Sequence, residues 1–429
     1  MSDAGAVAFI DLTDAPSSYA GQANRVVTVK PTEDGLEFST DASGISVFDA
    51  TVGASGADYT TISGALAASK TRLLVIDDTT ETANCAIPAA GLYIYILKGK
   101  TLNMGDFVFT CAAARRISII GQDQSAGLSY AFSTEKYLVS GSTFDNHVIF
   151  NTLTITNTSA VQDCYLVDGS SGNDGTELYQ NLKLILPNFR DSGIHFNSDN
   201  GIAENIHLVG GGTSCNQGIT QSGASQQVNN IRISGTWQAS ASGSAIILTG
   251  GTFDGIYLDH SGDAGIAVAV NCGSNIFLNP NGSMTTTLVT VNSKVELSNI
   301  DLVGPGSGTR TLAIEGSGSH ISNFYVPTLT IGTPRTNTAL TNGEIINAVT
   351  FNGDRGAATN VKFLGGATVP SGQDNNGFMN CQFGADAGGG ALTLTIDSGA
   401  NNTRVIGCMT DVAISDAGTG TVLLGNTTY

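Results

Sequence analysis

Positive charge is what this sequence has least of. It carries 18 Lys and Arg against 36 Asp and Glu, for a net charge of -18. Affinity for nucleic acid comes mostly from Lys and Arg displacing counterions on phosphate backbones, so nucleic acid is not an expected partner. Cysteines are also few, and unpaired in pattern. The seven, Cys85, Cys111, Cys164, Cys215, Cys272, Cys381 and Cys408, are an odd number without CxxC spacing. That argues against a disulfide framework and against a zinc site, and they read as small buried apolar side chains. No metal and no cofactor is expected.

Long apolar runs are missing as well. The start, Met1-Ser2-Asp3-Ala4-Gly5, lacks the basic flank and apolar stretch of a secretory signal, and no run approaches the length needed to cross a bilayer. The chain is therefore expected to be made in a cytoplasm, to stay soluble and not to insert into a membrane. Helical runs of Glu, Lys, Leu and Ala are missing too. What is there instead is 54 Gly and plentiful Ser, Thr, Asn, Val and Ile, which favour short strands joined by tight turns. Nothing between residues 80 and 429 reads as a linker, so most of the 429 residues are expected to form one elongated all-β domain.

One short pattern recurs along it: Asn, a branched apolar residue, a variable residue, another apolar residue. Copies are Asn181-Leu182-Lys183-Leu184, Asn205-Ile206-His207-Leu208, Asn230-Ile231-Arg232-Ile233, Asn275-Ile276-Phe277-Leu278, Asn299-Ile300-Asp301-Leu302, Asn323-Phe324-Tyr325-Val326, Asn360-Val361-Lys362-Phe363 and Asn380-Cys381-Gln382-Phe383. The step is mostly roughly 20 to 25 residues, the size of one unit of a solenoid and too short for a propeller blade or a helix pair. Alternation of apolar and polar residues within each copy is that of a strand with one buried face.

A single unit cannot bury its apolar face alone. Stacking places Leu182, Ile206, Ile231, Ile256, Ile276, Ile300, Phe324, Ile345 and Val361 in one interior column, each contributing on the order of 1.5 to 3 kcal/mol. The Asn before each has its own reason: it tolerates left-handed backbone better than any residue but Gly, which suits a sharp bend between strands, and stacked amides can hydrogen-bond up the ladder. Gly255 takes that place before Ile256. Glu344 and Arg404 fit less well, so the ladder is expected to lapse there. Upstream, Leu92 to Leu97, Ile117 to Gly121 and Val148 to Ile155 read as further strands, so the solenoid is expected over 75–429. About a dozen coils at 4.8 Å per strand make a rod of order 55 to 60 Å. Residues 46–74 are expected to be a linker and a small capping helix, Tyr59 to Lys70, with Ile62, Ala65 and Leu66 on one face.

Residues 9 to 38 carry a resemblance. They read Phe9-Ile10-Asp11-Leu12-Thr13-Asp14-Ala15-Pro16-Ser17-Ser18-Tyr19-Ala20-Gly21-Gln22, then Val26-Val27-Thr28-Val29 and Asp34-Gly35-Leu36-Glu37-Phe38. This resembles the N-terminal segment of many phage tail fibre and tailspike proteins, departing from it at Ala15, where Thr is common, and at Lys30, where Asn is usual. Gly56-Ala57-Asp58-Tyr59-Thr60-Thr61-Ile62-Ser63-Gly64-Ala65-Leu66 looks like the entry to the pectate-lyase-like fold. Together with the repeat, the resemblance implies a right-handed parallel β-helix behind an adaptor at 1–45. It also implies a homotrimer, located in the virion tail, joined to tail or baseplate proteins through residues 9–38 and acting on host surface polysaccharide or lipopolysaccharide.

Such spikes either bind or cleave the glycan, and cleavage by hydrolysis needs paired carboxylates as acid plus base or nucleophile. Asp191, Asp199 and Glu204 are the catalytic candidates, with His195 among them. Asp259, His260 and Asp263 form a second cluster. Trp237, the only tryptophan, stands one coil beyond the first; an exposed ring there would stack on a sugar, giving Trp237, His195, Asp259 and Asp263 as glycan-binding candidates. Asp254 and Asp259, five apart, fall on opposite faces of an unbroken strand. An Asp beside Gly or Ser in a solenoid is ordinarily a turn residue. His195 and His207 lack a third metal ligand at a supporting spacing, and Gly210-Gly211-Gly212 and Gly388-Gly389-Gly390 read as turns and not as phosphate loops. The expected activity is glycan recognition. The alternatives are a depolymerase, hydrolase or lyase, on the same fold, and a purely structural tail or baseplate component.

Overall fold

The computed structural model describes residues 26–29, 36–39, 47–111, 115–141, 147–161, 164, 166–167, 176–187, 193–196, 200–212, 215, 218–221, 226–237, 246–248, 252–258, 266–270, 273–278, 286–291, 296–303, 309–332, 335–384 and 393–428. Their regular secondary structure is nearly all strand, with one short helix. The largest sheet has 25 strands, all paired in parallel, and a second of seven strands runs from Ile194–His195 to Thr328–Ile331. Smaller parallel sheets continue the side faces, among them Val349–Thr350, Ala367–Val369, Leu394–Ile396 and Ser415–Asp416. One antiparallel pair stands apart among the described residues, Val26–Val29 with Leu36–Ser39.

Each strand of the large sheet lies beside the strand of the next repeat. Ala50, Leu73, Ile94, Ile119, Phe150, Tyr179, Ala203, Val228, Phe253, Gly273, Leu297, Ile321, Leu340, Ala358, Phe378, Val405 and Leu423 occupy one register column of seventeen rungs. At about 4.8 Å per rung the ladder is roughly 77 Å long. It exceeds the expected dozen for two reasons. It takes its first strand at Ala50–Val52, paired with Leu73–Val75, so the helix lies between the first two rungs. Several late steps also shorten to 18 residues, from Thr341 to Thr359 and from Ile406 to Leu424, whereas Ile117 to Val148 takes 31.

The helix, Ile62–Ala67, is shorter than its expected span. Thr61 caps it by accepting from the Gly64 N–H at 3.0 Å. Buried Glu81 accepts from the N–H groups of Ile62 and Ser63 at 2.5 and 3.1 Å, satisfying two more of the orphan donors of a first turn. Ile62 and Ala65 are buried and Leu66 packs against the core.

Strand burial alternates as a half-buried face requires: Leu92–Ile96 runs buried, half-buried, buried, half-buried, buried. Inside, aromatic rings stack from rung to rung, Phe150 on Tyr179 at 5.9 Å and Phe363 on Phe383 at 5.0 Å, each pair inclined by only 6°. Six of the seven cysteines are described, and all six are buried thiols outside any disulfide.

The bends are where the Asn pattern places them. Asn181, Asn205, Asn230, Asn299, Asn323, Asn342, Asn360 and Asn380 have φ between 52° and 56°, and Gly255, Gly407 and Gly425 hold the same bend at 73°, 63° and 64°. The amides stack: Asn181 donates to Asn151 at 3.1 Å, Asn205 to Asn181 at 3.0 Å, Asn323 to Asn299 at 3.2 Å and Asn360 to Asn342 at 3.1 Å. The lapse expected at Glu344 does not occur. Gly343, not Ile345, pairs with Phe324 and Val361, because the Phe324 ring fills the space of a side chain at that rung; Ile345 pairs one strand position on, with Val326 and Phe363. Arg404 lies outside the bend, which falls at Gly407, where no amide is available.

Candidate functional site

Of the residues singled out for chemistry, Asp191, Asp199, Asp259, His260 and Asp263 lie outside the described residues. Glu204 is half-buried in the strand Ile202–Gly211 of the large sheet and accepts from Gln180 Nε2 at 3.0 Å. His195 belongs to the strand Ile194–His195 of the seven-stranded sheet, where burial holds its imidazole below the usual pKa. The two therefore stand on different sheets.

Trp237 is fully buried, and its indole N–H donates to the Ser234 carbonyl at 2.7 Å. A ring with no exposed face cannot stack on a sugar, so its role is packing, and the only polar group of the ring is satisfied internally. Half-buried His207 has Nε2 at 2.7 Å from Ser234 Oγ. No group of three or more His, Cys, Asp or Glu able to hold a metal ion occurs among the described residues.

Register, not chain proximity, assembles the most sugar-like surface. The variable third residue of each repeat forms a continuous register column, Lys183, His207, Arg232, Tyr257, Phe277, Asp301, Tyr325, Glu344 and Lys362, whose described side chains are half-buried or exposed. Tyr257 is 42 % and Tyr325 37 % exposed, large for rings on a sheet face. Around Asp301 and Tyr325 a cleft of about 440 Å³ is walled by Asn299, Asn323 and Asn342. One oxygen of the Asp301 carboxylate accepts the Val303 N–H at 3.0 Å, which fixes its orientation. Lys362 and Glu344, on adjacent rungs of the column, pair at 3.9 Å.

An aromatic platform beside a fixed carboxylate and a row of amides offers apolar stacking together with donors and acceptors for hydroxyls. Adjacent rungs are about 4.8 Å apart, so Tyr257 and Tyr325, three rungs apart, are separated by roughly 14 Å of backbone. The search along the sequence missed Tyr257, Asp301 and Tyr325 because they are dozens of residues apart. Their signal was the variable position of the repeat, which in any strand with one buried face points away from the core.

A parallel column on the other side of the Asn bend runs Gln180, Glu204, Asn229, Asp254, Ser274, Ser298, Ser322, Thr341, Thr359, Met379, Ile406 and Leu424. Glu204 and Asp254 are two rungs apart in it, roughly 10 Å of backbone. A second cleft, of about 620 Å³, lies over the first rungs among Arg72, Gly91, Tyr93, Arg116 and Ser118. Comparison with protein-family models, with curated proteins and with solved structures finds no match to this chain.

Proposed function

We propose that this chain is a phage tailspike or tail fibre protein: a homotrimer of right-handed parallel β-helices that joins the tail or baseplate through residues 9–38 and recognises a host surface glycan. Three features support the reading. Residues 9–38 resemble the adaptor of such proteins, residues 56–66 resemble the entry to the pectate-lyase-like fold, and the long parallel ladder is the kind of sheet a β-helix builds. The observation that carries the binding role is the outer column with Tyr257, Asp301 and Tyr325 beside the asparagine ladder. On this reading the protein is located in the virion and meets capsule or lipopolysaccharide at the host surface.

The test is binding of the purified protein to host capsule or lipopolysaccharide, comparing wild type with Tyr257→Ala and Tyr325→Ala. Loss of one stacked ring is expected to weaken binding by about 0.5–1.5 kcal/mol, some two- to twelvefold. Full-strength binding by the double variant removes the assignment of this face. No binding by wild type leaves a structural tail component as the better reading.

Glu204 and Asp254 favour depolymerase activity as a second reading. Their backbone separation of roughly 10 Å stands at the upper edge of the carboxylate spacing that inverting glycoside hydrolysis requires. New reducing ends that vanish in both Glu204→Gln and Asp254→Asn are the result this reading expects.

A further inference from the structure

The column containing Glu204 is polar at every position from Gln180 to Thr359 and then turns apolar at Met379, Ile406 and Leu424. These three are 49 %, 37 % and 61 % exposed, and Met409 and Val422 beside them are exposed as well. Met379 lies two rungs in from Leu424, so its exposure is not an effect of the last rung. The same column is also apolar over the first rungs, at Leu74, Tyr95 and Ile120, but those residues are half-buried and the Phe48 ring lies 5.9 Å from that of Tyr95. Apolar rungs at one end are thus sheltered by the chain itself, and apolar rungs at the other are not.

Charge indicates what shelters them. With a net charge of -18, copies of this chain repel each other over most of their surface. In the strands Gly377–Met379, Arg404–Ile406, Met409–Thr410, Val422–Leu424 and Thr427–Thr428, Arg404 is the only charged residue. Here two copies approach at low electrostatic cost. The stripe also runs along the direction in which rungs stack, so a copy rotated about an axis parallel to the ladder presents the same residues at the same heights, as a symmetric contact requires. Five exposed side chains here make an apolar patch of a few hundred Å², the size at which monomer surfaces give way to interfaces.

We propose that copies of this chain associate along the stripe Met379, Ile406 and Leu424, with Met409 and Val422 at its flanks. The proposal rests on the homotrimer of the preceding section and says where its chains meet.

The test is the solution mass of the full chain by light scattering after gel filtration, for wild type, Met379→Glu, Ile406→Glu and, as a control on the polar part of the column, Ser322→Glu. Wild type and Ser322→Glu are expected at three times 43.9 kDa, and the two stripe variants at 43.9 kDa, with unchanged circular dichroism. A wild-type mass of one chain overturns both the trimer and the stripe. An oligomeric wild type whose mass neither stripe variant changes overturns the stripe and leaves the trimer standing. Should the glutamate variants lose their folded spectrum, Ile406→Cys treated with a short bis-maleimide decides instead: chain-to-chain cross-links above the wild-type background support the contact, and their absence rejects it.

Discussion

Asn230 donates its side-chain amide to the side-chain oxygen of Asn205 at 2.6 Å, and Asn205 donates in turn to Asn181 at 3.0 Å. Each of these residues does two jobs, holding a left-handed bend and passing a hydrogen bond to the next rung. Substitution separates them. Asn205→Gly keeps the backbone freedom and loses only the amide bonds, about 0.5–1.5 kcal/mol each. Asn205→Ala loses the bonds and adds roughly 1–2 kcal/mol of left-handed strain. Chemical denaturation is expected to rank wild type, glycine variant, alanine variant in falling stability, and an alanine variant as stable as the glycine one would remove the bend from the explanation.

Gly343 leaves its place in the interior column to the Phe324 ring. A methyl group at 343 displaces a ring that is only 4 % exposed, and overpacking of this kind costs about 1–3 kcal/mol. Gly343→Ala is expected to lower the thermal midpoint, and the double variant Gly343→Ala, Phe324→Leu to recover part of the loss.

Glu81 is buried against the first turn of the helix. Glu81→Gln keeps one acceptor oxygen and sets an amide donor near an N–H, so two hydrogen bonds to a charged group become one to a neutral group. A loss of about 1–3 kcal/mol is expected, together with faster amide exchange at Ile62 and Ser63.

Burial lowers the reactivity of the thiols. It pushes the Cys215 thiol up to about 11 and the Cys85 thiol higher still, where Glu81 adds to the effect. Thiolate is the reactive form, so a disulfide reagent is expected to label Cys85 and Cys215 only after guanidinium unfolds the chain. Rapid labelling of either thiol in the native protein, located by peptide mapping, contradicts this.

Asp106 gives a pH dependence of known sign. Lys136 at 2.8 Å and the N–H and hydroxyl of Ser133 hold its carboxyl down at about 2, from an ordinary 3.8. A folded-state value below the unfolded one means the contribution is complete above the unfolded value and disappears as pH falls through about 2. Solvent screening at this exposed pair limits it to under about 1 kcal/mol. The thermal midpoint of wild type is expected to approach that of Asp106→Asn between pH 4 and 2 and to exceed it at pH 6.

Much of the ladder was legible in the sequence because its bend has a steric signature. Only Asn and Gly adopt the left-handed conformation at low cost, and they mark the bend from Asn181 to Gly425. A second left-handed column, Asn337, Arg355, Asn375, Asn402 and Gly420, escaped notice because Arg355 breaks the pattern and its copies are few. Gly343 was misread because alternation alone prefers Ile345, and only the size of the Phe324 ring explains a glycine in a core column. The outer face was less legible for a different reason. Proximity along the chain selects neighbours such as His195 and Glu204, which the fold sends to different sheets, while Tyr257 and Tyr325 meet one surface through registry alone. The burial of Trp237 depends on its surroundings, which no local pattern records.

Steps between rungs vary from 18 to 31 residues, yet each rung keeps its register, and the left-handed bends from Asn181 to Gly425 stay in one column. Height along the ladder is therefore counted in turns of chain, not in amino acids. An insertion of a few residues between strands widens the molecule where it occurs and leaves every later position at its old height, while deleting one whole repeat shortens it by a single notch. Surface loops are thus free to diversify while the spacing between the first and last rungs is kept as on a ruler.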